Sequence, residues 1–248
     1  MIAPRLRDVT QLTSSKALLF DLDGVITPTA EVHMRAWERM FTDYLNSRDD
    51  AGQRAPYQES DYFDYIDGKP RYDGVRAFLA SRGIELPDGE VTDPTDRLTV
   101  CGLGNRKNDA FNAVLAKDGV APYPGSLALL DALPQHVQFA VVSSSKNAPA
   151  VLEAAGIADR FQVVVDGQVA VQQGLAGKPA PDTFRHAADR LGVPYQRCVV
   201  LEDAHSGVQA GAAGGFGLVI GVDRGAGADA LRASGAQIVV SDLQELLP

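Results

Sequence analysis

Two aspartates one residue apart, Asp21 and Asp23 in DLDGVITPT, and the adjacent acids Glu202 and Asp203 in VVLEDAH are the side chains best suited to chemistry in this sequence. With them go the hydroxyl run Ser143, Ser144 and Ser145, followed by Lys146, and Lys178 in GKPAPDTF. Ionised carboxylates cannot crowd together without a counter-cation, since two unit charges ~4 Å apart interact by ~4 kcal/mol at an effective dielectric of 20. Oxygen-only donors favour a hard ion, and Mg²⁺ is the usual one where a phosphate shares the coordination sphere. Lys178 and the serine hydroxyls would then donate to a phosphoryl group. An aspartate beside the metal can act as a nucleophile and form an aspartyl-phosphate, and a second one two residues on can serve as general acid/base. The chemistry these residues suit is metal-assisted phosphoryl transfer.

These groups must be brought to one place, and the pattern of the chain predicts how. KALLFD (16–21) is a continuous apolar run ending in an acid, as buried parallel strands are. Similar runs recur at 137–145, 161–167, 197–203, 216–223 and 236–242, with helical stretches between them. One such stretch is PAPDTFRHAADRLG (179–192), in which Pro181 suits a first turn and Gly192 a stop. Strand–helix alternation predicts an α/β fold with a Rossmann-like, three-layer parallel sheet. Ligands of such sheets bind beyond the carboxyl ends of the strands, where Asp21, Ser143, Lys178, Glu202 and Asp203 all fall. The interval from about Thr29 to Ala121 breaks the rhythm. It carries the helical patterns AEVHMRAWERMFTDYL, VRAFLASRG and KNDAFNAVLAKDG, and a polar Pro/Gly/Asp-rich stretch, Arg82 to Asp96, expected to be a surface loop. A discontinuous core (1–28 and 122–248) with an inserted, mostly helical cap (29–121) is expected, Trp37 being cap core.

Composition narrows the function classes. There are 32 acidic and 23 basic residues, a formal net charge of -9, and the basic residues are scattered singly. Such a chain is repelled by phosphate backbones, so no nucleic-acid partner is expected. Cys101 and Cys198 are far apart with no C-x-x-C spacing, which argues against a disulfide framework or a zinc ribbon. No apolar run reaches the ~20 residues of a membrane span, and the residues up to Lys16 lack the apolar core of a signal peptide. A cytoplasmic monomer with no membrane partner is the expectation.

Several stretches together carry a family resemblance: DLDGV, TAEVHMRAW, NRKND, YPG, SSSKN, GKPAPD and LEDAHSGVQA, in register over most of the chain. The sequence resembles the haloacid-dehalogenase superfamily, and within it the capped, β-phosphoglucomutase-like branch. The resemblance implies a Mg²⁺-dependent interconversion of β-D-glucose 1-phosphate and glucose 6-phosphate through an aspartyl-phosphate and a sugar bisphosphate. Asp21 would be the nucleophile and Asp23 the general acid/base. Asp21, the Asp23 backbone carbonyl, Glu202 and Asp203 would hold the metal; Ser143, Ser144 and Lys178 would bind the transferring phosphoryl group. Thr29, His33, Gly68, Arg71, Lys107 and Asn147 match substrate-side positions, with Arg71 on the non-transferring phosphate. Two departures concern the substrate: Asp67 stands before Gly68 where the family has a lysine, with Lys69 after it, and the cap has a longer insert around Asp88 to Asp96.

Each residue also has a plainer reading: a turn for the serines, a solvated lysine for Lys178, a loop arginine for Arg71. A calcium loop starting at Asp21 would need its bidentate glutamate where Val32 stands, and Gly102-Leu103-Gly104 opens no dinucleotide fingerprint, because Lys107 stands where the third glycine belongs. The alternative activity is hydrolysis of sugar or polyol phosphates with the same nucleophile. A non-catalytic sugar-phosphate sensor is a third reading, against which the Asp21/Asp23 pair argues.

Overall fold

A computed structural model describes residues 12, 14–50 and 55–247. The apolar runs become six strands: β1 (Ala17–Phe20), β2 (Gln138–Val142), β3 (Val163–Val165), β4 (Cys198–Glu202), β5 (Leu218–Val222) and β6 (Ile238–Val240). All neighbours pair in parallel, in the order β3-β2-β1-β4-β5-β6. The chain is therefore an α/β protein with a Rossmann-like parallel sheet. The strand order reverses beside β1, and at such a switch point the strand ends leave a crevice.

Nine helices are described: α1 (Thr29–Asn46), α2 (Arg71–Ser81), α3 (Val100–Asp118), α4 (Pro124–Ala132), α5 (Ala148–Ala154), α6 (Gly167–Gln172), α7 (Asp182–Leu191), α8 (His205–Ala213) and α9 (Ala228–Ala233). The chain divides into two compact units, one running through Thr29 and resuming at Val120, the other Ala30–Gly119.

In the sheet unit, Leu19, Val142, Val165 and Val200 pack with Phe184 and Ala187 of α7 and Val208 of α8. Burying each large apolar side chain contributes about 1.5–3 kcal/mol. Pro181 caps α7 rather than lying inside it, and Gly192 closes the helix in the left-handed conformation at φ 68°, which costs glycine nothing.

The second unit is organised by aromatic rings. Trp37, Phe41 and Phe78 stack in sequence, with centroids 5.4 and 3.8 Å apart, among Met40, Leu79 and Leu103. Its helix α3 starts seven residues before the KNDAFNAVLAKDG pattern, capped by the Thr99 hydroxyl, which accepts from the Gly102 N–H at 2.9 Å. Gly102 and Gly104 lie inside this helix despite their low propensity, because neighbours need the space: a Cβ at 102 would overlap the Arg97 carbonyl, and one at 104 would crowd the Tyr72 ring.

Candidate functional site

Register brings the acids to the sheet edge. Phe20 pairs with Val141 on one side and Leu201 on the other, so Asp21 falls level with Val142 and Glu202, one step past the paired residues. The Asp21 N–H still donates to the Leu201 carbonyl at 2.9 Å, and the Ser143 N–H donates to that of Val165 at 3.0 Å. The catalytic candidates thus begin where the ladder ends, on backbone that the sheet holds rigid.

Lys178 joins them. Its Nζ donates to Asp21 Oδ1 at 2.5 Å, to Glu202 Oε1 at 2.5 Å and to the Val142 carbonyl at 3.1 Å. All three side chains are buried. Burial alone would lower the lysine pKa, but the two carboxylates outweigh it and hold the ammonium charged above its usual range. Asp21 lies well above the ordinary carboxylate range, chiefly through burial and further through Glu202 and Asp23, with Lys178 opposing. One cation is thus shared among more carboxylates than it can neutralise.

Asp23 is fixed from two sides. Thr29 Oγ1 donates a short hydrogen bond to its Oδ1, and the Thr29 hydroxyl is itself paired with that of Thr27 at 2.7 Å. Ser143 Oγ lies 3.4 Å from Asp23 Oδ2 and also accepts the Ser145 N–H at 3.1 Å. Asp203 packs against the turn after Asp23: a Cβ at Gly24 would overlap its carboxylate, and the residue adopts φ +88°. Both facts require glycine there. Ser144 is half-buried, with its carbonyl against Gly167. Asn147 takes the N-cap position of α5, and its N–H donates to Ser145 Oγ at 3.2 Å.

The oxygens expected around one ion are the Asp21, Glu202 and Asp203 carboxylates and the Asp23 backbone carbonyl. Among the described residues, no three acidic, histidine or cysteine side chains are grouped to hold a metal as they stand. The physical reason lies at Glu202. Lys178 takes its Oε1, and its Oε2 accepts the Ala204 N–H at 2.8 Å. Its carboxylate occupies the space a side chain at 207 would fill, which Gly207 leaves open. Glu202 is held to the lysine and to backbone. The Asp21, Glu202 and Asp203 carboxylates with the Asp23 backbone carbonyl are hard oxygens in a site where one lysine serves two carboxylates, and this fits a divalent ion such as Mg²⁺.

The other candidates belong to the helical unit. Lys107 is buried; its Nζ pairs with His33 Nδ1 and lies 5.1 Å from the ring centres of both Trp37 and Phe111. His33 stacks on Phe111 with centroids 4.0 Å apart. Arg71 opens α2, donating through Nη2 to Asn108 Oδ1 at 2.6 Å, and burial lowers its pKa. Gly68 turns the chain just before it at φ 69°, while Lys69 Nζ is turned onto the Tyr65 carbonyl at 2.8 Å.

The insert is an ordered loop. Asp93 accepts from Thr99 Oγ1 at 2.7 Å, Arg97 Nη1 at 2.9 Å and the Glu90 N–H at 3.2 Å. Asn105 Nδ2 donates to the Asp93 carbonyl at 2.9 Å while its Oδ1 accepts from Tyr72 at 2.9 Å. Sequence reasoning passed over Thr27, Ser126 and Arg224, which hold the turn behind Asp23. Nothing in the local patterns of Ser126 and Arg224 marks them, since their partners Val25 and Gly24 lie far off in the chain, while Thr27 pairs within the turn itself. No helix among the described residues is long and apolar enough to cross a membrane.

Comparison with known proteins gives consistent relationships. The family model for haloacid dehalogenase-like hydrolases matches residues 15–215. A protein of Mycobacterium bovis named beta-phosphoglucomutase is 49% identical over 240 residues, covering 94% of this chain and 91% of its own. The fructose-1-phosphate phosphatase YqaB of Escherichia coli is 31% identical over 207 residues, covering 82% of this chain and 94% of its own. Among solved structures, a beta-phosphoglucomutase from Clostridium difficile superposes with a TM-score of 0.74 at 25% identity, covering 94% of this chain and 93% of that one.

Proposed function

The chain belongs to the haloacid dehalogenase-like hydrolase family and is a phosphoryl-transfer enzyme, and from that premise we propose that it is a β-phosphoglucomutase, interconverting β-D-glucose 1-phosphate and glucose 6-phosphate. The observation that carries this reading is the 49% identity to the mycobacterial protein of that name, which extends across nearly the whole of both chains.

In the proposed mechanism Asp21 is the nucleophile. Lys178 holds its Oδ1, so Oδ2 is the oxygen for in-line attack on phosphorus, and the same ammonium offsets charge on the transferring group. Glu202 keeps Lys178 aimed and charged. Ser143 and Ser144 donate to the phosphoryl oxygens. Asp23, oriented by Thr29, gives its proton to the departing sugar oxygen and takes one from the hydroxyl that attacks next. In the full cycle, Asp21 already phosphorylated passes its phosphoryl group to the 6-hydroxyl of β-glucose 1-phosphate, and the resulting bisphosphate, bound the other way round, returns its 1-phosphoryl group to Asp21 and leaves as glucose 6-phosphate. A Mg²⁺ ion, which Asp21, Glu202, Asp203 and the Asp23 carbonyl would hold, would neutralise charge developing on the phosphoryl oxygens. His33, Gly68, Arg71, Lys107 and Asn147 are proposed to select the sugar phosphate, with Arg71 taking the second phosphate as a bidentate donor.

A second reading, hydrolysis of a sugar phosphate, is favoured by the 31% identity to the E. coli phosphatase and by Asp67 standing where mutases of the family carry lysine. Phosphorus NMR of the protein with β-glucose 1-phosphate, Mg²⁺ and a trace of bisphosphate separates the two. The mutase reading predicts glucose 6-phosphate with little inorganic phosphate. Phosphate release outpacing isomerisation on every hexose phosphate tested would replace it with the hydrolase.

A further inference from the structure

The turn that follows Asp23 is held by its carbonyls. That of Gly24 accepts from Arg224 Nε at 2.9 Å, that of Val25 from Ser126 Oγ at 2.7 Å, and that of Ile26 from the Tyr123 N–H at 2.9 Å. Three successive peptides are thus pinned by donors about a hundred or more residues away in sequence. Inside the turn, the Gly24 N–H donates to the Thr27 carbonyl at 2.8 Å, and Thr27 forms an isolated parallel bridge with Asp23. The turn therefore carries Thr27 and Thr29 to the Asp23 carboxylate.

Arg224, in the loop after β5, is the most elaborately held of the three donors. Besides Gly24, its Nη1 donates to the Ser241 carbonyl at 2.9 Å, its Nη2 lies 3.7 Å from Asp242 Oδ2, and its guanidinium sits 3.9 Å from the centre of the Tyr123 ring. An arginine needed only for solubility would keep its head in water. This one spends its planar fork on two backbone carbonyls and an aromatic face. Gly24 at φ +88° has no side chain to fix its own conformation, so its peptide orientation falls to these hydrogen bonds.

We propose that Arg224 is a positioning residue for Asp23, acting through the Gly24 peptide and the turn that delivers Thr27 and Thr29. The proposal rests on the reading of Asp23 as the general acid/base. Transfer from a sugar ester releases an alkoxide that must be protonated as the P–O bond breaks. Transfer from acetyl phosphate to Asp21 releases a carboxylate that leaves without a proton. Misplacing Asp23 therefore harms the first reaction and spares the second.

The test compares Arg224→Ala and Arg224→Lys with the wild type, after thermal melts have established that each is folded. For Arg224→Ala, kcat on β-glucose 1-phosphate is expected to fall about 10- to 100-fold with KM within about threefold, since small misplacements of a catalytic group cost this much. Arg224→Lys, which keeps one donor, is expected to recover part of the loss, and phosphorylation of the enzyme by acetyl phosphate is expected to fall far less than kcat. Unchanged kcat, or equal losses on sugar phosphate and acetyl phosphate, would overturn the proposal. Should Arg224→Ala fail to fold, Ser126→Ala cuts the neighbouring clamp and is expected to show a smaller loss with the same division; unchanged kcat there overturns it equally. Asp21→Asn in the same assay separates the two levels. A silent Arg224→Ala beside an inactive Asp21→Asn sinks only this inference, whereas an active Asp21→Asn sinks the reading beneath it.

Discussion

The two units set their buried lysines in different surroundings. In the sheet unit, one ammonium is shared between Asp21 and Glu202, with Asp23 nearby, so negative charge is in excess at the strand ends. In the helical unit, Lys107 lies against the faces of Trp37 and Phe111 and beside His33. The first arrangement suits a site awaiting a cation and a phosphoryl group. The second sets a cation among ring faces. In the proposed mechanism the sheet unit carries the chemistry and the helical unit supplies all but one of the residues that select the substrate, Asn147 being the exception, and variants can break that division.

The largest expected effect is in the sheet unit. Asp21→Asn keeps the shape and removes the nucleophile, so turnover of β-glucose 1-phosphate should drop more than about 10³-fold, read in a coupled assay. Lys178→Met comes next. It leaves Asp21 and Glu202 buried without their cation, an imbalance of about 3–5 kcal/mol, so both activity and the denaturant midpoint should fall. Arg71→Lys, in the helical unit, should leave kcat within a few-fold and raise KM about 10-fold, because lysine cannot offer the bidentate fork. If Arg71→Lys lowered kcat as much as Lys178→Met does, the division of labour would be wrong.

The smallest effect concerns the insert. Asp93 is held below the usual carboxylate range, first by the Thr99 hydroxyl and then by the Glu90 N–H and Arg97. A depressed folded-state pKa means stabilisation that is full above the unfolded pKa of ~3.9 and is lost as pH falls through the lower folded value. Asp93→Asn should therefore flatten the acid side of the melting temperature against pH below about pH 4. An unchanged slope would mean that Asp93 does not carry the insert.

Much of the sheet unit was legible in the sequence because parallel strands advertise themselves. ALLF, QFAVV and CVVLE are buried throughout or nearly so, and each runs straight into a polar residue at the ligand-binding edge. The same linear pattern could not reveal Glu202's role. Its engagement with Lys178 and the Ala204 N–H depends on the room Gly207 leaves in a later helix. The start of α3 was hidden for a related reason: Gly102 and Gly104 weaken the helical pattern, yet close packing against Arg97 and Tyr72 demands them. Arg224 sits in a Gly-rich stretch that reads as solvated loop, and only the folded chain brings it to Gly24.

The most direct test asks where the phosphoryl group rests. Enzyme mixed with glucose bisphosphate and Mg²⁺ is quenched in acid within a turnover and digested, and the phosphorylated peptide is mapped. The account predicts phosphate on the peptide containing Asp21 in the wild type and none on that peptide in Asp21→Asn. Phosphate on another residue, or a wild-type enzyme that turns over without ever carrying it at Asp21, would contradict it.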